Sequence, residues 1–200
     1  MSTTEWLVLL GSIGEFAIAG VIYYELEENR ASTFLANVQN PDFLKNRRTL
    51  YEAYVAAAEP GTSLKARAEA FKDKIESSAD LRSLCDLQWY NIDRLQYALR
   101  NSLLHSRLLA QWFPPTLVSL WVMTGLYVCD RQVTGPVDSH QYGINAVKQS
   151  LQTLASRAQK RGGRIGPITI RGAPNSPSVE IPDEMLKAMC QNTDIDAPFK

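Results

Sequence analysis

Cysteine and histidine are scarce in this chain, and neither is arranged for chemistry. Cys85, Cys129 and Cys190 are three widely scattered thiols, and no C-x-x-C occurs. That odd set argues against a disulfide framework or a zinc site and fits reduced thiols. His105 and His140 are the only histidines, and His105 has no Asp, Glu or Cys three or four residues away. A metal site needs several ligands converging, so both histidines read as structural or surface side chains and no metal is expected. Also missing are G-x-S-x-G, the P-loop and the dinucleotide-binding pattern. Gly162-Gly163-Arg164-Ile165-Gly166 is rich in glycine but lacks the preceding strand and following helix of a phosphate cradle. No catalytic residue and no cofactor is expected.

Net charge is absent too. Lys+Arg and Asp+Glu stand at 21 each, so bulk charge points to neither nucleic acid nor an acidic substrate. The balance is uneven along the chain. No Lys or Arg precedes Arg30, and no Asp or Glu occurs from Ser139 to Val179. Lys148, Arg157, Lys160, Arg161, Arg164 and Arg171 all fall in that acid-free segment. A tethered basic segment is suited to anionic lipid headgroups, at about 1 kcal/mol per charge near the surface. A solvated helix face is the plainer reading of the same run. Nucleic acid is not expected, since no recognition fold accompanies the charges.

What the chain does have is one long apolar run. Trp6–Tyr24 carries a single charged residue, Glu15, in nineteen. As a helix it would extend roughly 28 Å, close to the ~30 Å bilayer core, with aromatic rings at both ends. The leader, residues 1–5, has no basic residue, and no small-residue cleavage site follows the run. An uncleaved transmembrane helix is expected over residues 6–24. Basic residues follow it at Arg30, Lys45, Arg47 and Arg48. The positive-inside rule then puts the N-terminus outside and the bulk of the chain in the cytoplasm.

Glu15 lies near mid-span, where a charge costs at least ~2.5 kcal/mol. Gly11, Glu15 and Ala19 share one helix face, with Ser12 beside them. Two readings stand. The face is an interaction seam for self-association or a protein partner, or Glu15 is a tolerated neutral acid.

Beyond the span, helical periodicity predicts an all-α cytoplasmic bundle over residues 25–160. Asn40-Pro41-Asp42 and Ser63 read as helix starts, and Glu59-Pro60-Gly61 as a stop. The charges Lys65, Arg67, Glu69, Lys72, Asp73, Lys74 and Glu76 read as one solvated face. A long spine is expected from Leu81 to about Phe113, with Leu95 and Leu99 packed on the next helix. Pro114-Pro115 should end it. Leu108–Cys129 has no charge in twenty-two residues. A second span would export the basic segment, so a core helix over Thr116–Cys129 is preferred. A last long helix should run to about Lys160. Residues 161–181 read as a Gly/Pro-rich linker, with Ile168-Thr169-Ile170 a transient strand at most. Residues 182–200 should hold a short helix from Pro182-Asp183 and a flexible, disordered tail. Arg47 falls within an apolar stripe. It is expected either to pair with Asp86 or Asp93 or to snorkel to solvent.

The stretch Asp86–Arg131 contains LQWYNIDRLQYALRNSLLHSRLLAQWF, the Trp121-bearing helix and Asp130-Arg131. With NPDFLKNRRTLYEAY before it, it resembles an uncharacterised family of small bacterial membrane-anchored proteins over about residues 5–131. The resemblance implies one N-terminal span and a cytoplasmic helical domain. It places the family's polar pair on Asn91 and Asp93, puts Asn101 where a small residue is usual, and transfers no catalytic residue. The expected function is a non-catalytic interaction or accessory subunit at the membrane. The alternatives are a membrane-tethered enzyme with an unrecognised site, or a small sensor or effector working through Glu15.

Overall fold

The computed structural model describes residues 41–100, 106–134, 140–163, 165–171 and 178–200. The predicted span over residues 6–24 lies outside them, as do Gly11, Ser12, Glu15 and Ala19. No helix among the described residues is long and apolar enough to cross a membrane.

Those residues are mostly helical. Helices α1 (Pro41–Val55), α2 (Leu64–Ser77), α3 (Ala79–Arg100), α4 (Ser106–Thr134) and α5 (Gln141–Lys160) come first. Strands β1 (Ile168–Ile170) and β2 (Val179–Ile181), helix α6 (Asp183–Cys190) and two 3-10 turns, Gln191–Thr193 and Ala197–Phe199, follow. Local chemistry sets several boundaries. The Ser63 hydroxyl accepts from the Ala66 N–H to cap α2 at 3.2 Å. Ser78 rather than Asp80 caps α3, its Oγ accepting from Leu81 N at 3.3 Å.

The organising helix is α4. From Leu117 to Gly125 it is buried on every side, because it packs on α2, α5 and β1 at once. A helix apolar all round needs such enclosure. Thr116–Cys129 is therefore a core helix, as preferred from its sequence. The expected break is not there: α4 runs through Pro114 and Pro115. Each proline removes one backbone donor, yet both lie inside the helix. The central role expected of residues 81–113 belongs to α4. The side chains of Leu95 and Leu99 lie outside the described residues.

The linker expectation for residues 161–181 is overturned. β1 and β2 pair antiparallel, Ile168 opposite Ile181 and Ile170 opposite Val179. Ile168, Ile170 and Ile181 enter the hydrophobic core. Alternation puts Ile168 and Ile170 on one face of the strand, and that face closes on the bundle. The disordered-tail expectation also fails. Ile195 and Pro198 are buried, Phe199 stacks against Trp121 at 6.3 Å, and Trp121 Nε1 donates to the Ile195 carbonyl at 2.5 Å.

Candidate functional site

Arg67 is the least expected residue of the molecule. It was grouped with the charges of a solvated face, yet it is 4% exposed. α2 buries Leu64, Arg67, Ala68, Phe71 and Ile75. These positions recur every three or four residues, so Arg67 sits within the apolar stripe and the spacing itself carried the signal. The guanidinium reaches back to the end of α1. Its Nη1 donates to the carbonyls of Val55 (2.6 Å) and Ala58 (3.0 Å), and its Nη2 to that of Glu59 (2.7 Å). The C-terminus of α1 leaves carbonyls without partners, and a cation there suits the helix dipole. Arg67 thereby pins the turn between α1 and α2.

It also lies over the ring of Tyr54, 6.0 Å from the centroid, and Tyr54 meets Phe71 edge-on at 5.4 Å. Burial pushes the Tyr54 phenol up to about 12 against the opposing pull of Arg67, and its hydroxyl has no partner among the described residues. Beside Arg67 opens a groove of about 630 Å³. Val55, Ala56, Ala58, Pro60, Leu64, Val179 and Pro182 form much of its wall, and Glu52 and Glu180 are the acidic lining residues. The hairpin supplies one side, so a linker in residues 161–181 would leave it unbuilt.

A second constellation joins α3 to α5. Asp93 Oδ1 accepts from the Gly143 N–H at 2.6 Å, and Asp93 Oδ2 lies 2.9 Å from His140 Nδ1. Gly143 is in the first turn of α5, so Asp93 caps that helix from across the interface. His140, the residue before the helix, is left-handed at φ 63° and offers no cap of its own. Trp89 fills the space beside it, donating Nε1–H to Thr124 Oγ1 at 2.9 Å. The carboxylate–imidazole pair resembles part of a catalytic relay, but both oxygens of Asp93 are engaged in positioning α5.

The predicted Arg47 pair is not formed with either aspartate. Arg47 lies over the Tyr51 ring at 5.3 Å. Asp86 instead accepts from Tyr127 Oη at 2.8 Å and Arg131 Nη2 at 3.2 Å. Burial first, then the bond to Asp86, pushes the Tyr127 phenol up. Asp93 is held by His140 and Gly143, two partners too distant in sequence to be visible there.

The basic segment is divided by helix geometry. Arg157, Lys160 and Arg161 gather at the end of α5 around a cavity also lined by Pro115, Leu154 and Ile165. Lys148, nine residues before Arg157, stands about 180° around the helix from it. Arg171 is exposed beyond β1, and Arg164 lies outside the described residues. Among the described residues no cluster of three or more His, Cys, Asp or Glu could hold a metal.

One face of α3 is exposed among the described residues. Leu87 (42% exposed), Tyr90 (56%) and Tyr97 (52%) alternate with Arg94, which lies over the Tyr90 ring at 5.7 Å. Tyr142 of α5 meets Tyr97 edge-on at 6.0 Å and extends the face. Spacings of three, four and three along Leu87, Tyr90, Arg94 and Tyr97 make a seam of the kind that receives a second helix. Comparison of the chain with family models, curated proteins and solved structures finds no match.

Proposed function

We propose that this chain is a membrane-anchored, non-catalytic interaction subunit, held by the apolar run of residues 6–24 and using the exposed seam of α3 to receive a partner helix. The observation that carries this reading is the seam itself. Tyrosine and arginine are the residue types that anchor protein contacts, and here they stand on a 3–4 repeat with Leu87. Arg94 calls for a carboxylate on the partner helix, set among apolar residues that meet Leu87 and Tyr90. The resemblance of Asp86–Arg131 to small membrane-anchored proteins supports the same architecture. Arg157, Lys160 and Arg161 supply a basic edge suited to anionic headgroups.

A photo-crosslinker at Tyr90 in full-length protein within native membranes tests the docking. The crosslinks should map to one helix bearing an acidic residue, and Arg94→Glu should remove them while the fold persists. Crosslinks to lipid alone, or unchanged capture by Arg94→Glu, would sink the docking. The intramembrane seam is tested separately. Glu15→Leu and Gly11→Leu should both insert and both lose any self-association or partner made through the span. A rival enzymatic reading rests on the Asp93–His140 pair and predicts that His140→Gln abolishes an activity without lowering stability.

A further inference from the structure

Two hollows meet at the C-terminal end of α5, and Arg157 and Lys160 line both. The first, about 690 Å³, has Pro115, Leu154 and Ile165 as its apolar wall and Arg161 as a third cation. The second, about 510 Å³, is otherwise lined by Gln149, Gln152, Thr153 and Ser156, all polar and uncharged. Among the described residues no Asp or Glu lines either hollow, so no carboxylate there repels an anion. Lys160 and Arg161 are exposed, so their charged ends can meet a ligand. Beyond the helix the chain reverses through left-handed Gly162 and Gly163, at φ 69° and 85°. The Gly163 N–H closes this turn on the Ala158 carbonyl at 2.7 Å, which sets Ile165 in the same wall as Leu154.

We propose that this end of α5 binds one phosphodiester lipid with an uncharged, hydroxylated head, its phosphate on the ridge of Arg157 and Lys160. The site rests on the membrane-anchored reading and gives the basic edge its ligand. A phosphate monoester has one arm, whereas two hollows flanking a cationic ridge fit the two arms of a diester. Arginine takes phosphate oxygens through its fork, and lysine adds a point charge. The apolar arm lies along Leu154 and Ile165. The head is specified by hydrogen bonds already made in the polar hollow. Thr153 Oγ1 and Ser156 Oγ donate to the carbonyls of Gln149 and Gln152, both at 2.9 Å, so each oxygen is left to accept. The Gln149 side-chain oxygen accepts from Gln96 Nε2 at 2.7 Å, so its NH2 is left to donate. A hydroxyl answers both, since it donates and accepts. A quaternary ammonium head has no hydrogen to donate and would stand beside cations.

Isothermal titration of the full-length chain in nonionic detergent with dihexanoyl phosphatidylglycerol is the test, with heats referred to detergent alone. The lipid should saturate at one per chain. Dihexanoyl phosphatidylmethanol keeps the charge and lacks the hydroxyls, so it should bind about threefold more weakly. Dihexanoyl phosphatidylcholine and the deacylated diester, glycerophosphoglycerol, should each bind at least about tenfold more weakly. Lys160→Glu puts a carboxylate on the ridge from an exposed position and should lower phosphatidylglycerol affinity at least about tenfold. Ser156→Ala removes one acceptor, and should weaken phosphatidylglycerol while leaving phosphatidylmethanol unchanged. The proposal is overturned if phosphatidylglycerol does not saturate, if any of the three other ligands binds as tightly, or if either variant binds phosphatidylglycerol undiminished. Alkaline extraction of membranes reads the anchor separately. A chain that is extracted yet binds phosphatidylglycerol overturns the anchor alone, and one that stays in the membrane without binding it overturns the site alone.

Discussion

Gly143 shows how a single missing methyl group permits a site. A Cβ there would come 2.8 Å from the Trp89 ring and 3.1 Å from Asp93 Oδ1. α5 can approach α3 closely enough for the Asp93 cap only because position 143 is glycine. Gly143→Ala should therefore destabilise by about 1–3 kcal/mol, despite its better helix propensity, as seen in urea unfolding. A stabilised variant would refute the close packing. Tyr54 gives the opposite case. Its hydroxyl is buried without a partner among the described residues, so Tyr54→Phe should leave stability at neutral pH unchanged or higher. The sign at high pH follows from its phenol, raised from 10.0 to about 12. The fold favours the neutral form, so this contribution is present below pH 10 and is lost as pH rises toward 12. Alkaline unfolding in that window should be shallower in Tyr54→Phe, and an identical pH profile would remove Tyr54 as a cause.

At the scale of elements, the hairpin is the decisive piece. β1 and β2 are three residues each, far too short to stand alone. They persist because Ile170 and Ile181 are fully buried against the bundle. Ile170→Ala should cost about 2–5 kcal/mol, and Ile181→Ala a comparable amount, in chemical denaturation. A loss near zero would restore the linker reading. α4 makes the same point from the other side. Its prolines weaken it locally, yet enclosure by α2, α5 and β1 holds it as one helix.

Across the whole molecule, the C-terminal turn closes on the bundle. The C-terminal turn packs with α2 and α6, and Trp121 of the central helix is sealed by Ile195 and Phe199. Removing Asp194–Lys200 should lower the melting temperature and shift tryptophan emission to the red, as Trp121 meets water. An unchanged spectrum would mean the turn is dispensable. Topology is a property of the same scale. Reporters fused at Val133 and at Lys200 should both behave as cytoplasmic if the positive-inside reading holds. Export of the Lys200 fusion with Val133 retained would overturn it.

Local chemistry in the sequence by itself determined the helical class, the cap of α2 at Ser63, the start of α6 at Asp183 and the core character of Thr116–Cys129. Each depends on neighbours within a few residues, where propensity, capping and periodicity act. The candidate site was only partly legible. The stripe Leu64, Arg67, Phe71, Ile75 places Arg67 inward, but its acceptors, eight to twelve residues back, depend on how the α1–α2 turn folds. Asp93 with His140, forty-seven residues apart, and the hairpin wall of the groove were decided by tertiary structure alone. The physical reason is the same in each case. A buried polar group takes whichever partner packing delivers, and a short strand is ordered only when a core receives its apolar face.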